Sequence, residues 1–102
     1  MTLVPVARIS DVPAGAMIGA DVNGERILIA NVGGELFAMR ATCNHMAGPL
    51  DEGTLEGNVV TCPLHGSKWD VKTGNLVEFV RPLPPEPTYV VTVKGDEILV
   101  EA

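Results

Sequence analysis

Four side chains dominate any chemical reading of this sequence: Cys43, His45, Cys62 and His65. They form the pattern Cys43-Asn44-His45, sixteen further residues, then Cys62-Pro63-Leu64-His65. Each half offers one thiolate and one imidazole, the soft and borderline donors that transition metals favour. The chain has only two cysteines and two histidines, and all of them are here. A single Cys is usually a small buried hydrophobe, and a single His is usually a hydrogen-bonding group. Two Cys/His pairs within one short stretch are poorly explained that way. A structural zinc site takes two Cys and two His, but zinc fingers pair like with like, and the order here alternates. A thiol nucleophile activated by His uses one pair and leaves the other idle.

Ligands in loops need rigid elements behind them, and the rest of the chain reads as strands. Residues 3–9 suit a first strand, with Pro5 hinting at a sheet edge. Residues 16–22 follow. Asn23-Gly24 then separates Val22 from the apolar run 25–32, a strong hairpin signal. Gly33-Gly34 turns the chain into 35–40, where Leu36, Ala38 and Arg40 alternate with Phe37 and Met39. The alternation stops at Ala41, and 42–50 reads as a loop. A short strand at 58–61 leads into a second loop, 62–67. Strands at 68–71 and 76–80 flank a Thr73-Gly74-Asn75 turn. Residues 81–87 hold four prolines and must be extended or turning. A hairpin of 88–94 and 97–101 over Gly95-Asp96 closes the chain. The class is all-β, an antiparallel sandwich or small barrel.

Composition narrows the function. A chain of 102 residues fits one domain with its own core. Acidic residues outnumber basic ones 13 to 7, and Lys68, Lys72 and Arg81 are interrupted by Asp70 and Glu78. No basic patch for nucleic acid is present; the negative charge suits solubility and a basic protein partner. No stretch approaches a membrane span, and residues 1–10 lack the pattern of a secretory leader. The expected location is the cytoplasm, where two cysteines stay reduced and are better read as ligands than as a staple.

The stretch CNHMAGPLDEGTLEGNVVTCPLHGSKWDVKTG resembles the cluster-binding segment of Rieske proteins. Cys62-Pro63, His65-Gly66, Gly48-Pro49-Leu50, Gly53 and Thr73-Gly74 stand where that family has them. The resemblance implies the Rieske fold across 1–102, with a cluster-binding subdomain of two loops at about 42–80 inserted in a β base. It implies one [2Fe–2S] cluster, with Cys43 and Cys62 on one iron and His45 and His65 on the other. Neutral imidazoles in place of two thiolates make such a centre easier to reduce, at about −150 to +300 mV against about −400 mV for plant-type ferredoxins.

The resemblance also frames the surroundings. Respiratory members join the two loops by a disulfide; the aligned positions here are Gly48 and Leu64, so the chain falls with the soluble, disulfide-free ferredoxins. High-potential members place a Ser and a Tyr hydroxyl on cluster sulfurs. Ser67 stands at the Ser position and Trp69 at the Tyr position, where the reading of Trp69 is core packing. Met46, Leu64 and residues 82–87 are expected to shield the cluster, and Lys68 and Lys72 to be solvated.

Both histidines are committed to the cluster, so none is left for the mononuclear iron of a Rieske oxygenase. No G-x-G-x-x-G marks a reductase. The expected function is electron carriage between a flavoprotein reductase and a terminal oxygenase of the aromatic-ring-hydroxylating type, or other redox proteins. The alternatives are a nitrite reductase small subunit, a stand-alone Rieske ferredoxin and, in a different class, a zinc-binding interaction module.

Overall fold

Two glycine-containing turns set the central sheet. Asn23 (φ 52°) and Gly24 (φ 81°) both sit in the left-handed region, as do Gly33 and Gly34 at 62° and 97°. Two consecutive residues of that kind make the tight turn whose twist matches flanking strands. They join β2 (Met17–Val22), β3 (Glu25–Val32) and β4 (Glu35–Arg40) into one antiparallel meander. The computed structural model describes residues 3–42, 49–64, 66–80 and 82–101.

Strand periodicity of two then decides the packing. In β3, Ile27 and Ile29 face one core with Val12, Val22, Ala38, Ile98 and Val100. Leu28 and Ala30 face the other, with Met39, Ala41, Leu50, Val60, Cys62, Trp69 and Val71. Ile29 lies opposite Ala38 and Leu28 opposite Met39, so the register carries the same division into β4. The first core is closed by a three-stranded sheet in the order β1 (Leu3–Arg8), β11 (Glu97–Glu101), β10 (Val91–Lys94). Pro5 does lie in an edge strand, beside an irregularity of register. The second core is closed by the four-stranded sheet β5 (Thr54–Glu56), β6 (Val59–Thr61), β7 (Lys68–Asp70), β8 (Leu76–Glu78).

Three details differ from the sequence expectation. Residues 88–94 are two strands, not one. β9 (Thr88–Tyr89) pairs with β4, and β10 pairs with β11. The break falls at Val90, 60% exposed, where the chain crosses from one sheet to the other. Thr54–Glu56 is a strand that polar and glycine neighbours concealed. Single 3-10 turns occupy Ile9–Asp11 and Leu50–Glu52.

The proline run is fastened at its end. Glu86 N–H donates to the Gly74 carbonyl (2.8 Å) and Arg40 N–H to the Pro87 carbonyl (3.0 Å). Arg40 Nε lies 3.1 Å from Glu86 Oε1, whose side chain is fully buried. Gly74 has φ 78°, and a Cβ there would run into the Glu86 carbonyl. Tyr89 adds a tie of its own, donating its hydroxyl to Glu25 Oε1 at 2.7 Å. Burial first, then the hydrogen bond and charge of Glu25, push its phenol up to about 12.

Two outcomes follow. Gly95→Ala, at φ 62° with open space around it, loses about 1 kcal/mol in urea unfolding. Gly74→Ala loses at least about twice that, because backbone must also shift; equal losses would show that the Glu86 contact is unimportant. Ionisation of Tyr89, the chain's single tyrosine, has its midpoint near 12 rather than 10. The unfolded chain releases that proton first, so stability falls as pH rises from about 10 to about 12, and Tyr89→Phe flattens that slope.

Candidate metal centre

Cys62 follows the last residue of β6, where the strand must turn. Its N–H donates to the Ser67 carbonyl (2.8 Å), and its own carbonyl accepts Gly66 N–H (3.1 Å). Gly66, at φ 74°, lets the chain reverse there. Residues 62–64 and 66–67 thus belong to the closed tip of the β6–β7 hairpin. Register continues beneath it, with Thr61 opposite Lys68 and Val60 opposite Trp69. The Cys62 thiol is free of any disulfide and buried at 2% exposure.

The described residues on either side of the first candidate loop are tied together. Thr42 and Pro49 form an antiparallel bridge, and Leu50 N–H donates to the Ala41 carbonyl at 2.7 Å. Cys43, His45, Met46 and Gly48 lie between those ends, outside the described residues, as do His65 and Arg81. The ends themselves, Ala41 and Leu50, belong to the same buried cluster as Cys62. Gly53 brings the two segments together. A Cβ there would run into the Thr61 carbonyl and come within 3.2 Å of Pro63 Cδ. Glycine at 53 is therefore required by close approach, the physical content of its place in the motif.

Charge also fixes the first loop's exit. Asp51, with a side chain 5% exposed, lies 3.0 Å from Arg26 of β3, and Arg26 also reaches Asp21 at 3.5 Å. The hydrogen bond that Arg26 donates to Asp51, and then the charge of Asp51, hold the Arg26 guanidinium above its usual pKa. Among the described residues Asp51 Oδ1 has no hydrogen-bond partner, and the carboxylate is compensated by Arg26.

Ser67 and Trp69 are both fully buried, and the indole Nε1–H donates to Ser67 Oγ at 3.1 Å. Trp69 is core, as expected, yet its one polar atom is directed at the neighbouring hydroxyl; sequence spacing alone gives no sign of that bond. Leu64 is 57% exposed. Within the proline run it is Leu83 that packs against the Cys62 core. The lysines are less free than expected. Lys68 Nζ donates to Thr61 Oγ1 at 3.3 Å, and Lys72 Nζ stands 5.6 Å from the centre of the Phe37 ring. The Arg40–Glu86 pair was not signalled either, although an acidic residue set among prolines is an unusual place for a solvated charge.

The surroundings suit a thiolate-bound cluster. The one described ligand candidate is a buried Cys, free of any disulfide, at a hairpin tip closed by two backbone hydrogen bonds. Among the described residues, which omit Cys43, His45 and His65, no group of three or more His, Cys, Asp or Glu is arranged to hold a metal.

Residues 2–99 match the Rieske [2Fe-2S] domain family. The biphenyl 2,3-dioxygenase ferredoxin component of Rhodococcus jostii (strain RHA1) is 40% identical over 101 residues, 99% of this chain and 94% of that protein. The ferredoxin of carbazole 1,9a-dioxygenase from Nocardioides aromaticivorans IC177 superimposes with a TM-score of 0.91 at 32% identity, covering 98% of this chain and 97% of that one. A ferredoxin-type match at 31% identity and TM-score 0.89 comes from a complex of reduced oxygenase and oxidised ferredoxin of carbazole 1,9a-dioxygenase, covering 96% and 91%. These matches set aside the zinc module. With a family match over nearly its whole length and ferredoxin components as its relatives, this chain belongs to the Rieske [2Fe–2S] family and carries one cluster of that kind.

Proposed function

We propose that this chain is the ferredoxin of a ring-hydroxylating dioxygenase system. It takes electrons from a flavoprotein reductase and passes them to a terminal oxygenase. It is a carrier and not the catalyst, in keeping with relatives that are ferredoxin components. The observation that carries the reading is the placement of Cys62. Its buried thiol sits at the tip of one clamped hairpin and shares a core with both ends of the other loop. In this reading Cys43 and Cys62 hold one iron, and His45 and His65 hold the other. Residues 42–80 act as the cluster-binding subdomain of a single domain, 1–102.

The partner class rests on the relatives' names and on a ferredoxin–oxygenase complex among the structures similar to this chain. An aromatic hydrocarbon is the substrate class of the system, acted on by the oxygenase and not by this chain. The described residues contain no helix long and apolar enough to cross a membrane, and the working compartment in this reading is the cytoplasm.

Cys62→Ser, purified beside the wild type, loses most of its iron and sulfide together with the red-brown colour. Retention of both would remove Cys62 from the ligand set. The wild-type protein, reduced and mixed with a biphenyl- or carbazole-type oxygenase, is reoxidised as ring hydroxylation proceeds. Reoxidation only by a sirohaem nitrite reductase would move the chain to that system.

A further inference from the structure

Arg26 is bonded to the residues on both sides of the first candidate loop. Its backbone carbonyl accepts the Ala41 N–H at 2.9 Å, on the entry side. Its guanidinium Nη2 donates to Asp51 Oδ2 at 3.0 Å, on the exit side. Leu50 N–H closes the circuit by donating to the Ala41 carbonyl at 2.7 Å. One residue of the central sheet thus ties together both flanks of the segment whose sequence contains Cys43 and His45.

The two bonds differ in kind. The backbone bond is indifferent to the side chain at 26, whereas the side-chain bond depends on charge and on space. The Asp51 side chain is only 5% exposed. Among the described residues its Oδ1 has no hydrogen-bond partner. Without the guanidinium a buried carboxylate is left uncompensated, which favours any arrangement that returns it to water. Space comes from β2. A Cβ on Gly19 would run into Asp51 Oδ2 and lie 2.6 Å from Arg26 Nη2. Gly19 has no positive φ, so its backbone does not call for glycine; the room for the ion pair does.

We propose that Arg26, Asp51 and Gly19 form a latch that positions the first loop, so that retention of the cluster by Cys43 and His45 depends on this one ion pair. The inference rests on Cys43 and His45 as ligands. A ligand loop grips a metal only while its stems keep one spacing. Outer residues that fix ligands commonly change metal affinity about 10–100-fold. Arg26 and Asp51 are positioning residues, acting through the flanks of the loop.

The test is release of iron from the oxidised holoprotein to excess EDTA, followed as loss of the cluster's visible absorbance. Arg26→Met and Asp51→Ala each release iron about tenfold faster than wild type. Together they release it no faster than the quicker of the two, because both break one contact. Gly19→Ala leaves every polar group in place and gives the same acceleration. Gly95→Ala, in the turn between β10 and β11, is the comparison. It weakens the sheet over the opposite core and releases iron at the wild-type rate. Wild-type rates in Arg26→Met and Gly19→Ala, or multiplied rates in the double variant, overturn the latch. So does an equal acceleration by Gly95→Ala, which makes release a matter of general stability.

A spectroscopic measurement separates position from stability. Loss of the latch spreads the ligand geometries, so EPR lines of the reduced cluster broaden in Arg26→Met and Gly19→Ala but not in Gly95→Ala. Lines as sharp as wild type in the first two overturn the proposal. Failure of the ligand reading looks different. Cys43→Ser then keeps its iron and sulfide, whereas a failed latch leaves Cys43→Ser without cluster and the latch variants at the wild-type rate.

Discussion

β3 is buried on both faces, and the rest of the molecule is arranged around that constraint. Residues 27–31 are all buried, so neither side of the strand can be left to water. Ile27 and Ile29 demand a sheet on one side, and Leu28 and Ala30 demand one on the other. Truncating Ile27, Leu28 or Ile29 to Ala in such a core costs about 2–5 kcal/mol. Chain order then allots the covers. The two ends of the chain, β1 with β10 and β11, close one face. The contiguous segment from β5 to β8 closes the other. Ala41 and Leu50, which flank the first candidate loop, and Cys62 of the second lie in the core beneath that cover, so their footing is the same apolar surface that stabilises the domain.

Buried polar groups complete this footing. Arg40 ends β4, one residue before Ala41, and holds the fully buried Glu86 at the end of the proline run. Arg26, the second residue of β3, holds Asp51 at the exit of the first loop. Both cations stand on the central sheet, and both carboxylates stand on connections that lack ladder partners of their own. A buried carboxylate is costly without a partner. The pairing therefore makes one loop position much better than its neighbours. Stability gained this way is modest, but the specificity of placement is large.

What was legible in the sequence follows from how local each signal is. Asn23-Gly24 and Gly33-Gly34 encode their turns within two residues, and β3 and β4 begin and end where the pattern says. The two Cys/His pairs are equally local, and the chemistry they name agrees with the family. The division of 88–94 into two strands is not local. Val90 belongs to an apolar run, and only the competition of β4 and β11 for the same chain segment breaks it. The Thr54–Glu56 strand has one partly buried residue, Leu55, between two exposed ones, too short for periodicity to register. Gly53 and Gly74 were visible as motif positions, but their reasons lie in the Thr61 and Glu86 carbonyls, distant in sequence or across a turn. Burial of Glu86 and the direction of the Trp69 N–H are tertiary facts with no sequence signature.

The absence of cysteine at 48 and 64 raises the question of what replaces a covalent link between the loops. A disulfide acts chiefly by restricting the unfolded chain, whereas hydrogen bonds and close packing act on the folded one. Here the first loop is closed by the Thr42–Pro49 bridge and the second by the Cys62–Ser67 and Gly66–Cys62 bonds. The approach of Gly53 to Thr61 and Pro63 brings the two segments to backbone distance. Each closure spans only a few residues, so little entropy is lost in making it. Leu64, exposed, is then available to the surface. Joining the loops through packing leaves the hairpin tip free of a redox-active cross-link.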